Sequence, residues 1–378
     1  MPDTEVQGDR RSAAAEATRI RRSEQELDRL RGTLGAWLSR QLPADAAPLI
    51  LDIKGTSANG MSNETLLISA AWVSGGRQAT HQLVARVAPR SGDPAIFPRY
   101  ELSEQAQVIR GVAELTDVPV PEVMWDEADP SVIGSPFFVM RHVDGQIPAD
   151  GRYLLNGFVA DADDAQRRCL QDSTVGVLAG LHAIEGANQE FGFLAPQSEQ
   201  SALRQHLAAA WEWYQFARSG GPRSSVIELT FAWLDAHWPS SESSAVLNWG
   251  DARIGNVIYR DFAPVAVLDW EMTAIVPPEV DLGWLIYSHR VFVDLVGAGL
   301  PGFLEPRDVA SHYEWLTGHE PRDLEFYLVY AALRWAIVLL RSSVRRVSQG
   351  ELAATADVDD LVLNRVALER MLARSYWD

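Results

Sequence analysis

The feature that most constrains this chain is a polar signature set around a hairpin pattern. Asp251 is followed five positions later by Asn256, and Asp269 ends the apolar run 265–268. Residues 256–259 and that apolar run flank a turn rich in chain-breaking residues, which predicts a β-hairpin. Because the outer ends of a hairpin's two strands meet at one edge, we expect the three oxygen-bearing side chains to converge.

The spacing of these residues indicates phosphoryl-transfer chemistry. Mg²⁺ is usually held through one or two carboxylates plus substrate phosphates, and a carboxylate that is not a ligand can accept a hydroxyl proton. The pattern predicts Asp251 as the catalytic residue and Asn256 and Asp269 as metal ligands. Taken singly, each has an ordinary structural interpretation, such as a loop cap for Asp269. Asp281 precedes an apolar run and is interpreted as a helix N-cap that braces the loop.

The motif Trp-Gly-Asp-Ala-Arg-Ile-Gly-Asn, with a later Asp-Trp-Glu, resembles the aminoglycoside phosphotransferase-like family of small-molecule kinases. That family usually carries His-Gly-Asp, a four-residue gap and Asn, then a second Asp. Trp249 stands in the place of the His, and an actinobacterial branch of phosphotransferases with Trp-Gly-Asp-Ala-Arg looks especially similar. The resemblance spans residues 57–285. It implies an α+β, protein-kinase-like two-lobed fold with a small β-rich N-lobe and a larger, mainly helical C-lobe.

The resemblance also implies how the chain is divided. Residues 1–22 are polar and are expected to be disordered. Residues 23–139 would form the nucleotide-binding N-lobe, 140–145 the hinge, and 146–378 the catalytic and substrate lobe. Apolar residues at helical spacing predict an amphipathic helix over residues 24–41.

Four nucleotide-binding residues are implied in a loop between two predicted strands. The loop is rich in Gly, Ser and Asn, and such residues let backbone N–H groups approach phosphates closely. By resemblance, Asn59, Gly60, Ser62 and Asn63 would lie over the nucleotide. An ordinary hairpin turn fits this loop about as well.

Further nucleotide contacts are implied on the third strand and in the hinge. Arg86, within the strand predicted at 82–89, takes the position of a phosphate-binding Lys, and its planar fork can bind phosphate bidentately; the alternative is a solvated strand charge. The backbone of Arg141 and Val143 would bind the adenine edge. The helix predicted over residues 103–115 should supply a partner for Arg86. The candidates are Glu101, Glu104 and Gln105.

The C-terminal part is predicted to be mostly helical. Residues 175–184 form an apolar helix in which His182 is interpreted as a packed, hydrogen-bonded core histidine, with a direct catalytic role as the alternative. Residues 331–340 are the most apolar stretch, too short and too charged at Arg334 to span a bilayer. We expect this stretch to be a buried helix.

Charge and cysteine content limit the partners. The chain has 33 basic and 51 acidic residues and a net charge of −18, which argues against nucleic acid or an anionic membrane as partner. That charge is compatible with a cationic acceptor without requiring one. One cysteine, Cys169, excludes an intramolecular disulfide framework and a cysteine-based zinc cluster. It fits a cytoplasmic location, as does an N-terminal segment without a signal-peptide pattern.

The predicted function is therefore transfer of the γ-phosphoryl group of ATP, with Mg²⁺, to a hydroxyl of a small molecule. The acceptor would be aminoglycoside-like, a sugar or an amino alcohol. The alternative is a kinase-fold protein that binds nucleotide in a regulatory role, or that carries out other chemistry such as nucleotidyl transfer. Intact Asp251, Asn256 and Asp269 favour the kinase, whereas Trp249 and Arg86 favour the alternative.

Overall fold

The computed structural model describes residues 24–55, 63–90, 95–195 and 198–377. The chain divides into two compact units, each built from two segments. The first unit comprises Met1–Arg110 and Pro121–Val143. The second unit comprises Gly111–Val120 and Asp144–Asp378.

The first unit holds a five-stranded antiparallel sheet and a helix that precedes it. The predicted amphipathic helix is confirmed as α1, Glu24–Gln41. The strands are β1 Leu49–Gly55, β2 Glu64–Ser74, β3 Arg77–Val87, β4 Val123–Glu127 and β5 Phe137–Arg141, with α2 at Leu102–Leu115 between β3 and β4. The sheet order is β1-β2-β3-β5-β4, so β3, which carries Arg86, lies at its centre.

The core of this unit forms where α1 packs against the sheet. Leu34 and Trp37 of α1 are fully buried, as expected for the apolar stripe of an amphipathic helix. The Trp37 ring meets that of Phe137 edge to face, with centroids 4.9 Å apart. Its indole N–H donates to the Glu127 carboxylate at 3.0 Å, so the buried nitrogen keeps a hydrogen-bond partner.

The second unit is mainly helical. Its helices are α3 Asp164–His182, α4 Ala187–Glu190, α5 Ala202–Ala217, α6 Ser225–Ala236, α7 Glu279–Val296, α8 Pro306–Thr317, α9 Leu324–Ser348 and α10 Arg365–Leu372. The helix predicted over residues 175–184 overlaps α3, which ends at His182, and the stretch 331–340 lies within α9. In the part of the chain that is described, no helix is both long and apolar enough to cross a membrane.

Two small antiparallel sheets accompany these helices. β6 Val246–Asn248 pairs with β9 Ala274–Val276. β7 Val257–Arg260 pairs with β8 Ala263–Val267, which confirms the predicted hairpin. Its two turn residues, Asp261 and Phe262, have φ of 51° and 63°, the left-handed pair that a tight type I′ hairpin turn requires.

Helices α7 and α9 form the centre of this unit. A Cβ added at Gly283 of α7 would lie 2.7 Å from the Tyr327 carbonyl of α9, so the glycine permits this close approach. The next residue of α7, Trp284, stacks on Trp335 of α9 with ring centroids 5.3 Å apart. Helix α7 is therefore fixed along its first half, where it meets the loop that carries Asp251.

Candidate active site

The loop from β6 to β7 brings two of the predicted site residues into direct contact. The Asn256 amide nitrogen donates to the Asp251 carboxylate at 2.6 Å and to its backbone carbonyl at 3.1 Å. A short 3-10 turn, Ile254–Asn256, closes the gap between them. The loop is then tied to the end of β8, because Leu268 N–H donates to the Asn256 carbonyl at 2.8 Å.

Asp251 is buried and its carboxylate is surrounded by donors. Its exposed fraction is 7%. Trp284 Nε1 donates to Oδ1 at 2.7 Å, while Asn256 takes Oδ2. Arg253 Nε lies 3.1 Å from both oxygens. A carboxylate has about four acceptor sites, and these contacts fix the orientation of the Asp251 side chain.

The side chain of Arg253 joins Asp251 to a residue that the sequence motif does not contain. Its Nη1 donates to both carboxylate oxygens of Asp150, which lies 103 positions earlier. A Cβ at Gly255 would lie 2.3 Å from Asp150 Oδ1, so glycine makes the space that Asp150 occupies. Burial alone would lower the pKa of Arg253, but Asp150, Asp251 and Asp269 raise it above its ordinary value.

Asp269 follows β8 in a left-handed backbone conformation, with φ of 58°. Aspartate tolerates this region better than most residues. Its side chain is half-buried, and its charge contributes to the field on both Arg253 and Asp150. Asp269 therefore lies within electrostatic reach of the cluster around Asp251.

Asp281 braces the loop from the first turn of α7. Its two carboxylate oxygens accept from the N–H groups of Trp249 at 2.6 Å and Gly250 at 2.8 Å, and its own N–H donates to Asn248 Oδ1 at 3.1 Å. The predicted bracing is confirmed, but the predicted N-cap position is wrong, because Pro278 occupies it. Proline comes first since it has no N–H to satisfy.

His182 lies on the far side of Asp281 and is a packed core residue, as predicted. Its Nδ1 is 2.8 Å from Tyr313 Oη, and its Nε2 is 3.4 Å from Asp281 Oδ2. The ring is buried. These contacts place His182 behind the loop, where it supports Asp281.

Gly250 and Arg334 hold the same loop from the other side. Gly250 has φ of 89°, and a Cβ there would lie 1.8 Å from the Met272 carbonyl, so only glycine fits. Arg334 of α9 donates from Nη2 to the Gly250 carbonyl at 3.1 Å. Its guanidinium lies 4.4 Å from the Trp284 ring centroid, a cation–π distance.

The donor set tests whether Mg²⁺ could be held here. Asn256 turns its amide nitrogen toward Asp251, and its Oδ1 accepts no hydrogen bond from the described residues. That oxygen and the Asp269 carboxylate are ligands of the kind that Mg²⁺ prefers when phosphates complete its shell. Among the described residues, no group of three His, Cys, Asp or Glu could hold a metal ion. The residues present fit a metal shared with a nucleotide.

The predicted nucleotide-binding residues belong to the first unit. Arg86 is buried on β3 and donates from Nη1 to Thr65 Oγ1 at 2.9 Å. Asn63 is buried just before β2. Asn59, Gly60 and Ser62 lie outside the described residues, so their predicted role stays a prediction. The helix expected to supply a partner for Arg86 is α2, in which Gln105 is buried.

The hinge residues differ in the use of their backbone N–H groups. Arg141 N–H donates to the Glu122 carbonyl at 2.9 Å, and His142 N–H donates to the Gln82 carbonyl at 3.0 Å. Val143 N–H has no acceptor among the residues that the structure describes. Of the two predicted adenine contacts, Val143 therefore keeps a donor available, whereas Arg141 offers its carbonyl.

Three contributors to the site were missed by sequence reasoning. In the motif, Arg253 is only one of the four gap residues, and no sequence pattern links Asp150 or Trp284 to Asp251. The signal that could have identified Arg253 is a charged residue inside the gap, followed two positions later by a glycine. Nothing local in the sequence identifies Asp150.

Comparison with known proteins gives the family and the fold. The model of the phosphotransferase enzyme family matches residues 69–316, more than half of the chain. A Ralstonia eutropha protein provisionally named an aminoglycoside phosphotransferase shares 23% identity, with a TM-score of 0.66 over 92% of this chain and 98% of that one. A complex of aminoglycoside phosphotransferase APH(4)-Ia with ADP and hygromycin B has 14% identity and a TM-score of 0.56, covering 91% of this chain and 98% of its own. These likenesses confirm the expected protein-kinase-like fold.

Curated relatives are longer proteins. The Arabidopsis thaliana protein named probable acyl-CoA dehydrogenase IBR3 is 25% identical over 349 residues, which cover 83% of this chain and 40% of that protein. The chain spans 40% of the length of this relative and 20% to 30% of the human and mouse relatives named acyl-CoA dehydrogenase family members 10 and 11. The similarity thus concerns a part of each relative.

Proposed function

The chain belongs to the phosphotransferase enzyme family, and on that premise we propose that it transfers the γ-phosphoryl group of ATP to a hydroxyl group of a small molecule. The observation that carries this proposal is the contact between Asp251 and Asn256 beside the end of β8. This contact holds a buried carboxylate against the amide of Asn256. A second carboxylate, Asp269, follows β8 and acts through space on Arg253, which contacts Asp251. Positioning and electrostatics of this kind are what phosphoryl transfer requires from a protein.

In the proposed reaction, Asp251 orients the acceptor hydroxyl and accepts its proton. Trp284, Asn256 and Arg253 donate to its carboxylate and hold it in one orientation. Asn256 and Asp269 would hold Mg²⁺, which when bound neutralises charge on the phosphate oxygens. Trp284 and Asp281 keep the loop fixed while the phosphoryl group moves.

For the nucleotide, we propose ATP bound by residues of the first unit. Arg86 would hold the α- and β-phosphates, with the Gly/Ser/Asn loop over them. The free N–H of Val143 and the carbonyl of Arg141 offer one donor and one acceptor, which is what the edge of an adenine needs. The ADP bound in the structurally similar APH(4)-Ia complex supports an adenine nucleotide as the ligand.

For the acceptor, we propose a small polyhydroxylated molecule such as an aminoglycoside-like compound, a sugar or an amino alcohol. The hygromycin B bound in the APH(4)-Ia complex supports this class, and a net charge of −18 is compatible with an acceptor that carries amines. Because the chain spans a minor part of the relatives named acyl-CoA dehydrogenases, their names do not support a dehydrogenase activity in this chain. We also propose a cytoplasmic location, where ATP is supplied.

The test is an acceptor screen with the full chain, Mg²⁺ and either ATP or GTP. Each candidate is incubated with enzyme, and mass spectrometry then measures what is added to it. Addition of one phosphoryl group supports the proposal, while addition of a nucleotidyl group would indicate the other chemistry. If the chain bound neither nucleotide in the presence of Mg²⁺, as measured by calorimetry, the proposal would be wrong.

A further inference from the structure

Arg253 is a cation placed among three carboxylates, and its surroundings suggest more than a structural ion pair. Asp150 and Asp251 contact it directly, and Asp269 acts on it through space. The side chain is 12% exposed. An arginine at this depth is well suited to an anionic ligand, because its planar fork can serve several acceptors at once.

The hydrogen bonds of Arg253 occupy only part of that fork. Nη1 is committed to Asp150 and Nε to Asp251. Nη2 donates to no acceptor within the described ranges of the chain. Asp150 therefore holds the guanidinium from one side while a donor on the other remains available. Guanidinium groups bind phosphate oxygens through such donors.

Orientation of Asp251 does not by itself require Arg253. Trp284 Nε1 already fixes Oδ1 at 2.7 Å, and the Asn256 amide fixes Oδ2 at 2.6 Å. Arg253 adds a longer contact of 3.1 Å to each oxygen. Because Asp251 is already held by Trp284 and Asn256, the presence of Arg253 beside it is better explained by a ligand that contacts both Arg253 and Asp251.

The position of Arg253 relative to the chemistry follows from Asp251. On the proposed function, the acceptor hydroxyl hydrogen-bonds to Asp251, and its oxygen attacks the γ-phosphorus. The new O–P bond forms as the bond from that phosphorus to the β-phosphate oxygen breaks. ADP leaves, and the hydroxyl proton passes to Asp251. A guanidinium that touches both oxygens of Asp251 lies within one hydrogen bond of the group in transit.

We propose that Arg253 is a further catalytic residue, which donates from its free edge to the transferring phosphoryl group, and that Asp150 is the positioning residue that holds it there. This rests on the proposed phosphotransferase function. Fixed donors aimed at developing charge act without reorganisation and commonly contribute about 10²–10³-fold in rate. The contribution should be absent for bound ADP, which lacks the transferring group.

The test measures binding of ADP with Mg²⁺, with and without aluminium fluoride as a mimic of the transferring phosphoryl group. Calorimetry is applied to the parent and to the variants Arg253→Gln, Arg253→Lys and Asp150→Asn. The control is Arg168→Gln, a half-exposed arginine of α3 paired with Asp172 and Asp308. A thermal melt of each variant checks that it is folded.

In the parent, we expect aluminium fluoride to tighten ADP binding by about tenfold or more, as transition-state mimics do. Arg253→Gln should lose that gain while its affinity for ADP alone stays within about threefold, because only the mimic engages the fork. Arg253→Lys should keep part of the gain through its charge, and Asp150→Asn should also be intermediate. Arg168→Gln should behave as the parent does.

The proposal would be overturned by an equal gain in Arg253→Gln and parent, or by no gain in the parent. Such a result would leave the proposed phosphotransferase function standing if the parent still transferred phosphate to an acceptor. A parent that bound no nucleotide at all would end both proposals. If Arg253→Gln lost affinity for ADP alone in the same proportion, its role would be binding rather than catalysis, and the assignment would again be wrong.

Discussion

Trp249 Nε1 donates a hydrogen bond to the backbone carbonyl of Leu268 at 2.8 Å. This single contact fastens the loop that carries Asp251 to the strand end that precedes Asp269. Trp249 is fully buried, and its ring lies 6.2 Å from that of Trp270. Trp249, which replaces the usual His of the family pattern, thus supplies a hydrogen-bond donor within the site. The replacement is therefore compatible with an intact arrangement of the loop.

Replacing Asp269 by Ala should weaken binding of Mg·ATP and remove most of its dependence on the metal. The reason is that one of the proposed ligands is lost while the loop that carries Asp251 is left in place. Calorimetry with and without Mg²⁺ measures this, with Asp235→Ala on the exposed face of α6 as the control. Equal affinity for Mg·ATP in Asp269→Ala and parent would contradict the metal assignment.

Replacing Asp251 by Asn should lower kcat by about 10²–10⁴-fold, since the amide cannot take the hydroxyl proton. Mg·ATP affinity should change little. Because Trp284, Asn256 and Arg253 all donate to this side chain, the new amide would face a donor, and we expect a lower Tm as well. Turnover with an identified acceptor checks the prediction, and a parent-like rate would exclude the proposed role of Asp251.

Replacing Arg86 by Ala should weaken nucleotide binding, and Arg86→Lys should restore much of it, because Lys keeps the charge but not the fork. Arg86→Ala also leaves Thr65 without a hydrogen bond from it, so melts must accompany the titrations. Arg110→Ala, which removes an exposed ion pair with Asp126, is the matched control. Parent-like affinity in both Arg86 variants would mean that Arg86 does not contact phosphate.

Replacing Gly255 by Ala should separate Asp150 from Arg253 without changing either residue. The added Cβ would lie 2.3 Å from Asp150 Oδ1 and 3.0 Å from Arg253 Nη1, so Asp150 must move, at a cost of about 1–3 kcal/mol. We expect a reduced kcat with nearly unchanged ATP affinity. Gly176→Ala on α3, where nothing lies within 4 Å, is the control and should retain full activity. An unaffected kcat in Gly255→Ala would show that the Asp150 contact is dispensable.

Stability should fall on mild acidification because of His289. Burial lowers the pKa of His289 to about 4, and Arg290 acts in the same direction. The unfolded chain takes up this proton as the pH falls through about 6.5, whereas the folded chain does not until the pH nears 4. The contribution of His289 to the free energy of unfolding is thus fully present above about pH 6.5 and is lost as the pH falls from there toward 4.

Urea unfolding at pH 7 and pH 5 measures this effect. The parent should lose about 2 kcal/mol more than His289→Gln between the two pH values, while His237→Gln, an exposed histidine, should follow the parent. An identical pH dependence in parent and His289→Gln would show that other groups are responsible.

Local sequence predicted the elements whose signals are local. The spacing of apolar residues located α1 to the residue, and the breakers between two β-prone runs located the β7–β8 hairpin. The contact between Asp251 and Asn256 is predictable because the two residues are only five positions apart in the sequence. The two other partners of Asp251 could not be predicted from local sequence. Trp284 lies 33 positions away on α7, and Arg253 faces Asp251 only because of the conformation of the loop.

Asp150 marks the limit of that reasoning. It reaches Arg253 across 103 positions, and nothing in its neighbourhood distinguishes it from any surface carboxylate. Only packing of the second unit brings it there. Asp281 shows a smaller error of the same origin. Its bracing role was predicted, but its place in the first turn depends on how Pro277 and Pro278 lead the chain into α7.

The anchoring of the loop by Asp281 has a consequence for attempts to transplant this site. Asp281 holds two consecutive amides of the loop, and α7 is in turn wedged against α9 through Gly283. An eight-residue graft of the loop into another scaffold would therefore arrive without the carboxylate that shapes it. Amide protons of Trp249 and Gly250 should accordingly exchange with solvent as slowly as those in the interior of α7.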